Sequence, residues 1–260
     1  MSVPFCLAAK ILNIKIYLFE PNMVIGRANK FLVKFCIKLF CYSEKIINFP
    51  EKFKHKIFVI NHLLRKEIYK FSNIKKQDTG DITKLLIVGG SQGAEFFDIN
   101  LKNSIISLSK ICKLKIFHQI SSIDLKDLEF FYKEHGIENK LFNFENNIFE
   151  YINESNFAIT RAGASTLSEL AYLKVPFVAI PYKFATDNHQ LINALDYEKN
   201  DCCWILKEEE FNQDKLTTLL LKIIENKEDY IKKKKSLEKF SYQNNWNNIN
   251  QKLINCLNEN

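Results

Sequence analysis

Short apolar runs separated by helical patterns recur along most of the chain. They predict eight strands, at residues 15–19, 56–60, 84–89, 113–118, 140–144, 156–160, 176–181 and 202–206. Helical spacing of apolar residues predicts helices between them, including residues 94–108, 124–135, 165–173 and 188–199. The strands lack strict apolar–polar alternation, which fits burial on both faces. Strand–helix alternation of this kind predicts an α/β fold with a parallel sheet between two helical layers.

A polar stretch without periodicity interrupts this pattern at residues 70–84, and it contains Gly80. We interpret it as a linker between a fragment of about the first 75 residues and a complete α/β unit. After Leu206 the pattern becomes helical and charged, through to the C-terminus.

A basic helical pattern is predicted at residues 29–40. Lys30, Lys34 and Lys38 recur at every fourth position, opposite apolar residues such as Phe31 and Phe35. Such a helix can lie on an anionic membrane, or it can pack its apolar face on a sheet, which is the commoner arrangement. Both interpretations stay open.

Composition narrows the class of protein only in part. The net charge of +7 suits an anionic partner, whether nucleic acid, an acidic membrane or a phosphorylated substrate. Seven cysteines without a CxxC pair argue against a zinc ribbon and for reduced thiols. The pattern shows neither a signal peptide nor an apolar run of the ~18–20 residues that a membrane span needs, so we expect a soluble or peripheral protein.

A glycine-rich turn, GGSQGA at 89–94, follows the strand at 84–89. Gly89, Gly90 and Gly93 permit a tight turn and close backbone approach, and Ser91 can donate its hydroxyl to a phosphate oxygen. The turn matches neither a Walker loop nor the GxGxxG fingerprint. It therefore indicates either a phosphate loop or an ordinary strand-to-helix connection.

A second turn, TRAGASTLSE at 160–169, is more specific. An apolar strand leads to Arg161 and Gly163, and small residues then begin a helix that carries Glu169. Free N–H groups at a helix N-terminus bind a diphosphate, and a nearby carboxylate can accept hydrogen bonds from both ribose hydroxyls. The alternative is a tight turn with a solvated Glu169.

A third motif, DNHQ at 187–190, follows the strand at 176–181 and faces the same crevice. Asp187 and Gln190 there could bind sugar hydroxyls. Alternatively, Asp187 caps a helix and Gln190 lies on the surface.

Four segments closely resemble the C-terminal half of the MurG family of peptidoglycan N-acetylglucosaminyltransferases. They occur in the order GGSQGA, TRAGASTLSE, PFVAIPY and DNHQLINA. FEPNMVIGRANKFL at 19–32 is similar to that family's HEQN segment and the helix after it. The resemblance implies a GT-B-like α/β fold with one complete and one partial Rossmann-like domain. Residues 1–75 would be the C-terminal part of the acceptor domain, 76–235 the UDP-sugar domain and 236–260 a C-terminal helix.

The resemblance also implies a reaction. N-acetylglucosamine would pass with inversion from UDP-N-acetylglucosamine to a lipid-linked muramoyl-pentapeptide, converting lipid I to lipid II. The enzyme would be peripheral, at the cytoplasmic face of the bacterial inner membrane, and would therefore contact the membrane surface. No cofactor, metal site or nucleic-acid partner is predicted.

The resemblance implies one set of substrate-binding residues: Asn22, Arg65, Ser91, Glu145, Ala164, Ser165, Thr166, Leu167, Ser168, Glu169 and Gln190. Ser91 and Arg65 would contact the diphosphate, Glu169 the ribose, and Gln190 and Asn22 the sugar. The helix start at 164–169 would run along the diphosphate and ribose. The backbone near residue 145 would contact uracil.

Several positions depart from the family pattern. Phe19 replaces a His, NHLL at 61–64 replaces GNPV, and Asp98 stands where an Asn is usual. The family's GTGGH segment, with its proposed general-base His, would precede Met1, and Glu20 is the candidate base by position. Two functions stay open: a glycosyltransferase, either as it stands or completed by a separately encoded N-terminal half, and a remnant that binds the donor without transfer.

Overall fold

The computed structural model describes residues 2–71, 82–90, 95–121, 125–143, 145, 147–242 and 246–258. The described residues form two parallel sheets, one of three strands and one of six. Each strand segment predicted from the sequence overlaps an observed strand, and the prediction of an α/β fold with parallel sheets is confirmed.

The N-terminal lobe is built on three parallel strands in the order β1-β2-β3. Its elements are α1 (Ser2–Ile11), β1 (Tyr17–Glu20), α2 (Arg27–Leu32), β2 (Lys38–Cys41) and β3 (Ile57–Val59). Residues of α2 and β2, among them Leu32 and Leu39, are fully buried against the sheet and α1. The apolar face of α2 thus packs on the strands of this lobe.

The prediction of one helix over residues 29–40 is wrong, because α2 ends at Leu32 and a strand follows. The ammonium group of Lys56 donates to the carbonyl oxygens of Val33, Lys34 and Cys36, at 3.0, 3.1 and 2.7 Å. These contacts cap the end of α2 and hold the turn that leads into β2. A side chain 24 residues beyond the last residue of α2 thus stabilises the end of the helix.

The C-terminal lobe is a doubly wound unit whose six strands are all parallel, in the order β6-β5-β4-β7-β8-β9. The strands are β4 (Ile82–Val88), β5 (Lys113–Gln119), β6 (Glu138–Phe142), β7 (Phe157–Thr160), β8 (Phe177–Ala179) and β9 (Cys203–Ile205). The helices are α3 (Glu95–Asn100), α4 (Lys102–Ser109), α5 (Leu125–Glu134), α6 (Ile148–Glu154), α7 (Ala164–Tyr172), α8 (His189–Lys199), α9 (Gln213–Glu225), α10 (Lys227–Tyr242) and α11 (Trp246–Asn258). The helix predicted at 94–108 is divided at Leu101 into α3 and α4.

Two apolar clusters cover the two faces of the larger sheet, as the unalternating strands predicted. Helix α11 leaves this lobe and packs Cys256 and Leu253 against Phe40 and Ile60 of the other one. None of the described helices is long and apolar enough to cross a membrane. The domain boundaries at residues 75 and 235 stay predictions.

Candidate functional site

The strand order of the larger sheet reverses between β4 and β7, and this reversal creates a crevice at their carboxyl ends. Ligands of open α/β sheets bind at such a switch point. Gly89 and Gly90 follow β4 on one side, and Ala162 and Gly163 follow β7 on the other. The N–H of Arg161 donates to the carbonyl of Val88 over 3.3 Å, which keeps the two strand ends together.

Helix α7 begins in this crevice. Gly163 is its N-cap residue with extended φ/ψ of −70° and 133°, and no side chain caps the first turn. The first N–H groups of a helix lack intrahelical acceptors, so this end is suited to an anion such as a diphosphate. Ser165 is exposed there, whereas Leu167 is fully buried and Ser168 nearly so. Within the predicted 164–169 segment, then, the first turn is accessible and the second faces the core and the other lobe.

Glu169 and Arg65 lie together, although they are 104 positions apart. Glu169 is 7% exposed, and its two carboxylate oxygens accept hydrogen bonds from Arg65 Nε at 3.1 Å and Nη2 at 3.3 Å. The guanidinium also stacks over the ring of Phe149, at 4.2 Å. Burial raises the pKa of Glu169, and the charge of Arg65 opposes that rise. The pair ties the segment after β3 to α7 at the predicted ribose position.

Asn22 is held at the same boundary by Asn193 of α8. The Asn193 amide group donates to Asn22 Oδ1 at 3.1 Å and to the carbonyl of Ala162 at 3.2 Å, and it accepts from the N–H of Met23 at 3.1 Å. Asn193 is 3% exposed. The sequence analysis assigned no role to Asn193, since a single Asn within a helical pattern carries no signal of a contact to another lobe.

Gln190 lies in the first turn of α8, at the same end of the sheet. Its side-chain oxygen accepts the N–H of Tyr182 at 3.0 Å, which leaves its NH₂ group as the donor for a ligand. Asp187 is in the left-handed region at φ 54°, and its carboxylate is 3.6 Å from Arg27 of α2. The residue at the N-cap of α8 is Asn188 rather than Asp187.

Glu20, the candidate base, is buried and fully engaged within its own loop. One carboxylate oxygen accepts from the N–H and the amide of Asn22, at 3.2 and 3.1 Å. The other accepts from the N–H of Gly26 at 2.7 Å and from Asn29 at 2.9 Å. Glu20 is only 2% exposed, so its oxygens shape the loop that carries Asn22. This geometry gives no support to the prediction that Glu20 removes a proton from an acceptor.

Arg161, which belongs to the predicted TRAGASTLSE motif, is buried inside the C-terminal lobe. It donates to Glu208 at 2.5 Å and to the carbonyl of Ile180 at 3.1 Å, and its guanidinium lies over the rings of Phe96 and Phe97. Its side chain is 9% exposed. Arg161 therefore stabilises the lobe rather than reaching into the crevice.

Two predicted residues remain, Glu145 in the segment after β6 and Ser91 in the glycine-rich turn. Ser91 lies outside the described residues. The Glu145 carboxylate accepts the N–H of Asn147 at 3.1 Å, so that side chain is turned into its own loop. Gln119, at the end of β5, bridges Gly90 and Asn143. Its side chain accepts the N–H of Gly90 at 3.2 Å and donates to the carbonyl of Asn143 at 3.1 Å.

His62 makes a further contact between the lobes, with its Nδ1 atom 2.6 Å from the Ser168 hydroxyl. Because that hydroxyl donates to the carbonyl of Ala164 at 2.7 Å, the His62 Nδ1–H group is the donor to Ser168. The ring also packs on Tyr42, with 4.1 Å between centroids. Burial lowers the pKa of His62 from 6.5 to about 4.

We expect this histidine to make the fold sensitive to acid. A folded-state pKa below the unfolded value means that the unfolded chain binds more protons between pH 6.5 and about 4, so stability falls as pH falls through that window. Urea unfolding at pH 7, 6 and 5 measures the free energy of unfolding. With falling pH, this free energy should decrease more steeply for the wild type than for His62→Asn. Equal slopes for the two proteins would contradict the assignment.

Two Rossmann-like lobes whose strand ends face a shared crevice, with a helix N-terminus and a carboxylate in it, define a GT-B-like protein. Residues 84–246 match the family model described as the glycosyltransferase family 28 C-terminal domain. The chain belongs to this glycosyltransferase family.

Similar proteins agree with that assignment. The chain is 49% identical over its whole length to the UDP-N-acetylglucosamine–N-acetylmuramyl-(pentapeptide) pyrophosphoryl-undecaprenol N-acetylglucosamine transferase of Pelagibacter ubique, and it covers 72% of that protein. It is 33% identical over 222 residues to the protein of the same name from Rickettsia canadensis, of which it covers 63%. The crystal structure of MurG from Acinetobacter baumannii superimposes on the whole chain with a TM-score of 0.78 at 22% identity, which shows a shared fold. That superposition covers 72% of the Acinetobacter chain.

Proposed function

We propose that this chain binds UDP-N-acetylglucosamine between its lobes and serves the transfer of N-acetylglucosamine to a lipid-linked N-acetylmuramyl-pentapeptide. The observation that carries the proposal is the convergence of the uncapped start of α7, Glu169 and Arg65 at the switch point of the larger sheet. The named activity of the relatives supports the choice of donor and acceptor.

Each part of the donor has a suitable partner in the crevice. The first turn of α7 offers free N–H groups to the diphosphate. The Glu169 oxygens each retain a lone pair beside their bond to Arg65, so they can accept from the ribose hydroxyls. The Gln190 amide and Asn22 are the polar groups suited to the sugar. Glu145, whose side chain is turned away, would contribute main-chain groups to uracil.

In the reaction, the acceptor hydroxyl attacks the anomeric carbon from the face opposite UDP. The bond between that carbon and the phosphate oxygen breaks, the configuration inverts, and UDP leaves with increased negative charge. The start of α7 and the guanidinium of Arg65 are the groups placed to stabilise this charge. The acceptor proton must pass to a base, and Glu20 is poorly suited to that role because its oxygens are engaged.

Calorimetry with purified chain tests the donor proposal. We expect UDP-N-acetylglucosamine and UDP to bind with a 1:1 stoichiometry, and GDP to bind much more weakly. Absence of UDP binding would refute the proposal. A transfer assay with labelled donor and a soluble lipid I analogue then separates the two functions left open by the sequence: product formation supports transfer, and donor binding without product restricts the chain to holding the donor.

We also propose that the N-terminal lobe lies against the cytoplasmic face of the membrane. Residues 1–71 contain 13 Lys and Arg but only four Asp and Glu, a net charge of +9, whereas the rest of the chain has a net charge of −2. On α1, which contacts α2, Phe5 and Ile11 are 77% and 81% exposed. Lys34, in the turn after α2, lies over the ring of Phe31, which is itself exposed. Exposed apolar side chains among basic ones are suited to an anionic lipid surface.

Co-sedimentation with vesicles that contain phosphatidylglycerol tests this surface. We expect the wild type to bind and a Phe5→Ser/Ile11→Ser variant to bind at least tenfold more weakly, since each buried side chain contributes about 1.5–3 kcal/mol. Phe130→Ser is the matched control, because Phe130 is also exposed but lies on α5 of the less basic lobe. Equal binding by all three proteins would rule out the proposed face.

A further inference from the structure

A chain of buried polar side chains lies beneath the crevice in the C-terminal lobe. Asp98 of α3, His118 of β5 and Tyr132 of α5 are 5%, 1% and 0% exposed. The Tyr132 hydroxyl is 2.9 Å from His118 Nδ1, and His118 Nε2 is 3.2 Å from Asp98 Oδ1. Asp98 Oδ2 accepts from the N–H and the hydroxyl of Ser121, at 3.0 and 2.6 Å. Three elements of the lobe and the segment after β5 are joined in this way.

One arrangement of protons accounts for every contact. The Tyr132 hydroxyl donates to Nδ1 of a neutral imidazole, and the Nε2–H group donates to an ionised Asp98. Burial lowers the pKa of His118, which favours the neutral ring. Burial alone would raise the pKa of Asp98, but the hydrogen bonds from His118 and Ser121 outweigh it and lower that pKa. The His118–Asp98 contact is the longest and least well aligned of the four.

The same strand end reaches the crevice through its next residue. Successive side chains of a strand point to opposite faces, so fixing His118 on one face orients Gln119 on the other. Gln119 binds both Gly90, in the glycine-rich turn, and Asn143, in the segment that leads to Glu145. His118 is therefore separated from each wall of the proposed nucleotide site by one peptide bond and one hydrogen bond of Gln119.

We propose that Asp98, His118 and Tyr132 form a positioning network, which fixes the end of β5 and, through Gln119, the spacing between Gly90 and Asn143. By holding that spacing, the network sets the affinity for the uracil and diphosphate end of the donor. None of the three side chains reaches the solvent, so they act through Gln119 and do not touch the ligand. This inference rests on the proposed function, since it concerns the same site.

Calorimetry with UDP on matched variants tests the network. Asp98→Ala removes the acceptor of His118 and Ser121, and we expect it to weaken UDP binding about tenfold or more. In Asp98→Asn, the residue usual in the family, the amide can donate to Nε2 of the other His118 tautomer while its oxygen accepts from Ser121. We expect this variant to keep UDP affinity within about threefold of the wild type. Tyr132→Phe, which preserves the core volume, should give an intermediate loss.

Asp201→Ala is the control for general destabilisation. Asp201 accepts from Lys232 and Lys233 at 2.7 and 2.9 Å, and it precedes β9 at the opposite end of the sheet from the crevice. Its loss should lower the melting temperature without changing UDP affinity. Suppose that the wild type binds UDP and that Asp98→Ala and Tyr132→Phe bind it with the same affinity. The inference is then overturned, and the proposed function stands.

Nitrogen NMR of His118 gives a readout that does not depend on the nucleotide. The wild type should show a protonated Nε2 and an unprotonated Nδ1, and Asp98→Asn should reverse the two. An imidazolium in the wild type, or the same tautomer in both proteins, would overturn the proton arrangement and with it the network. A wild type that fails to bind UDP would overturn both the inference and the proposed function.

Discussion

Replacing Glu169 by alanine is expected to weaken UDP binding by about 10- to 100-fold. The loss of hydrogen bonds to a charged group costs about 1–3 kcal/mol, and each 1.4 kcal/mol is tenfold in affinity. Glu169 is the only acidic residue of α7, and its carboxylate lies at the predicted ribose position beside the start of that helix. Isothermal titration of UDP against wild type and variant measures the effect.

Two comparisons isolate the ribose contact. Glu154→Ala removes an exposed carboxylate that pairs with Lys84, and it should leave UDP affinity unchanged. A 2′,3′-dideoxy analogue of UDP should bind the wild type and Glu169→Ala equally, because neither complex has the contact. The side chain of Arg65 is 44% exposed, so loss of its ion pair should cost little stability. The ratio of the affinities for UDP and for the dideoxy analogue should be smaller in Glu169→Ala than in the wild type. An equal ratio in the two proteins would contradict the assignment.

Local patterns predicted the layers of the fold but missed the features that depend on distant residues. Unalternating apolar strands indicated sheets buried on both faces, and two clusters cover the larger sheet. The strand β2 was mistaken for the end of a helix. Lysines at every fourth position fit a helix, yet Lys56, 18 positions beyond the first residue of β2, binds the carbonyl groups just after α2 and stabilises the turn there. Only the packed lobe brings that cation to those carbonyl groups.

The candidate site shows the same division. The glycine turn, the helix start and Glu169 could be predicted, because each motif lies at the carboxyl end of a strand, where parallel sheets bind ligands. The sequence could not show which polar residues face the crevice. Arg161 is buried on Phe96 and Phe97, which come from a distant segment. Glu20 accepts hydrogen bonds from the residues that follow it, and that geometry depends on the path of the folded loop. Asn193 joins the lobes but carries no local pattern of its own.

Removing the carboxylate of Glu208 is expected to be the most destabilising of the substitutions considered. The Arg161–Glu208 pair is buried, with side chains 9% and 7% exposed. Deleting one partner of a buried ion pair costs about 3–5 kcal/mol, since the other charge is left without compensation. Burial already lowers the pKa of Arg161, and Glu208 is the group that most opposes this. For a domain of this size the loss corresponds to a fall in melting temperature of about 10 °C.

Calorimetric or circular-dichroism melting of Glu208→Ala and Glu210→Ala gives the matched comparison. Glu210 lies in the same turn and pairs with Lys207, but both side chains are about half exposed, so its loss should cost at most about 1 kcal/mol. A double variant, Arg161→Met/Glu208→Leu, should recover much of the stability, because the rings of Phe96 and Phe97 can pack against methionine. If the double variant is no more stable than Glu208→Ala, the cost would come from lost packing, not from an unpaired buried charge.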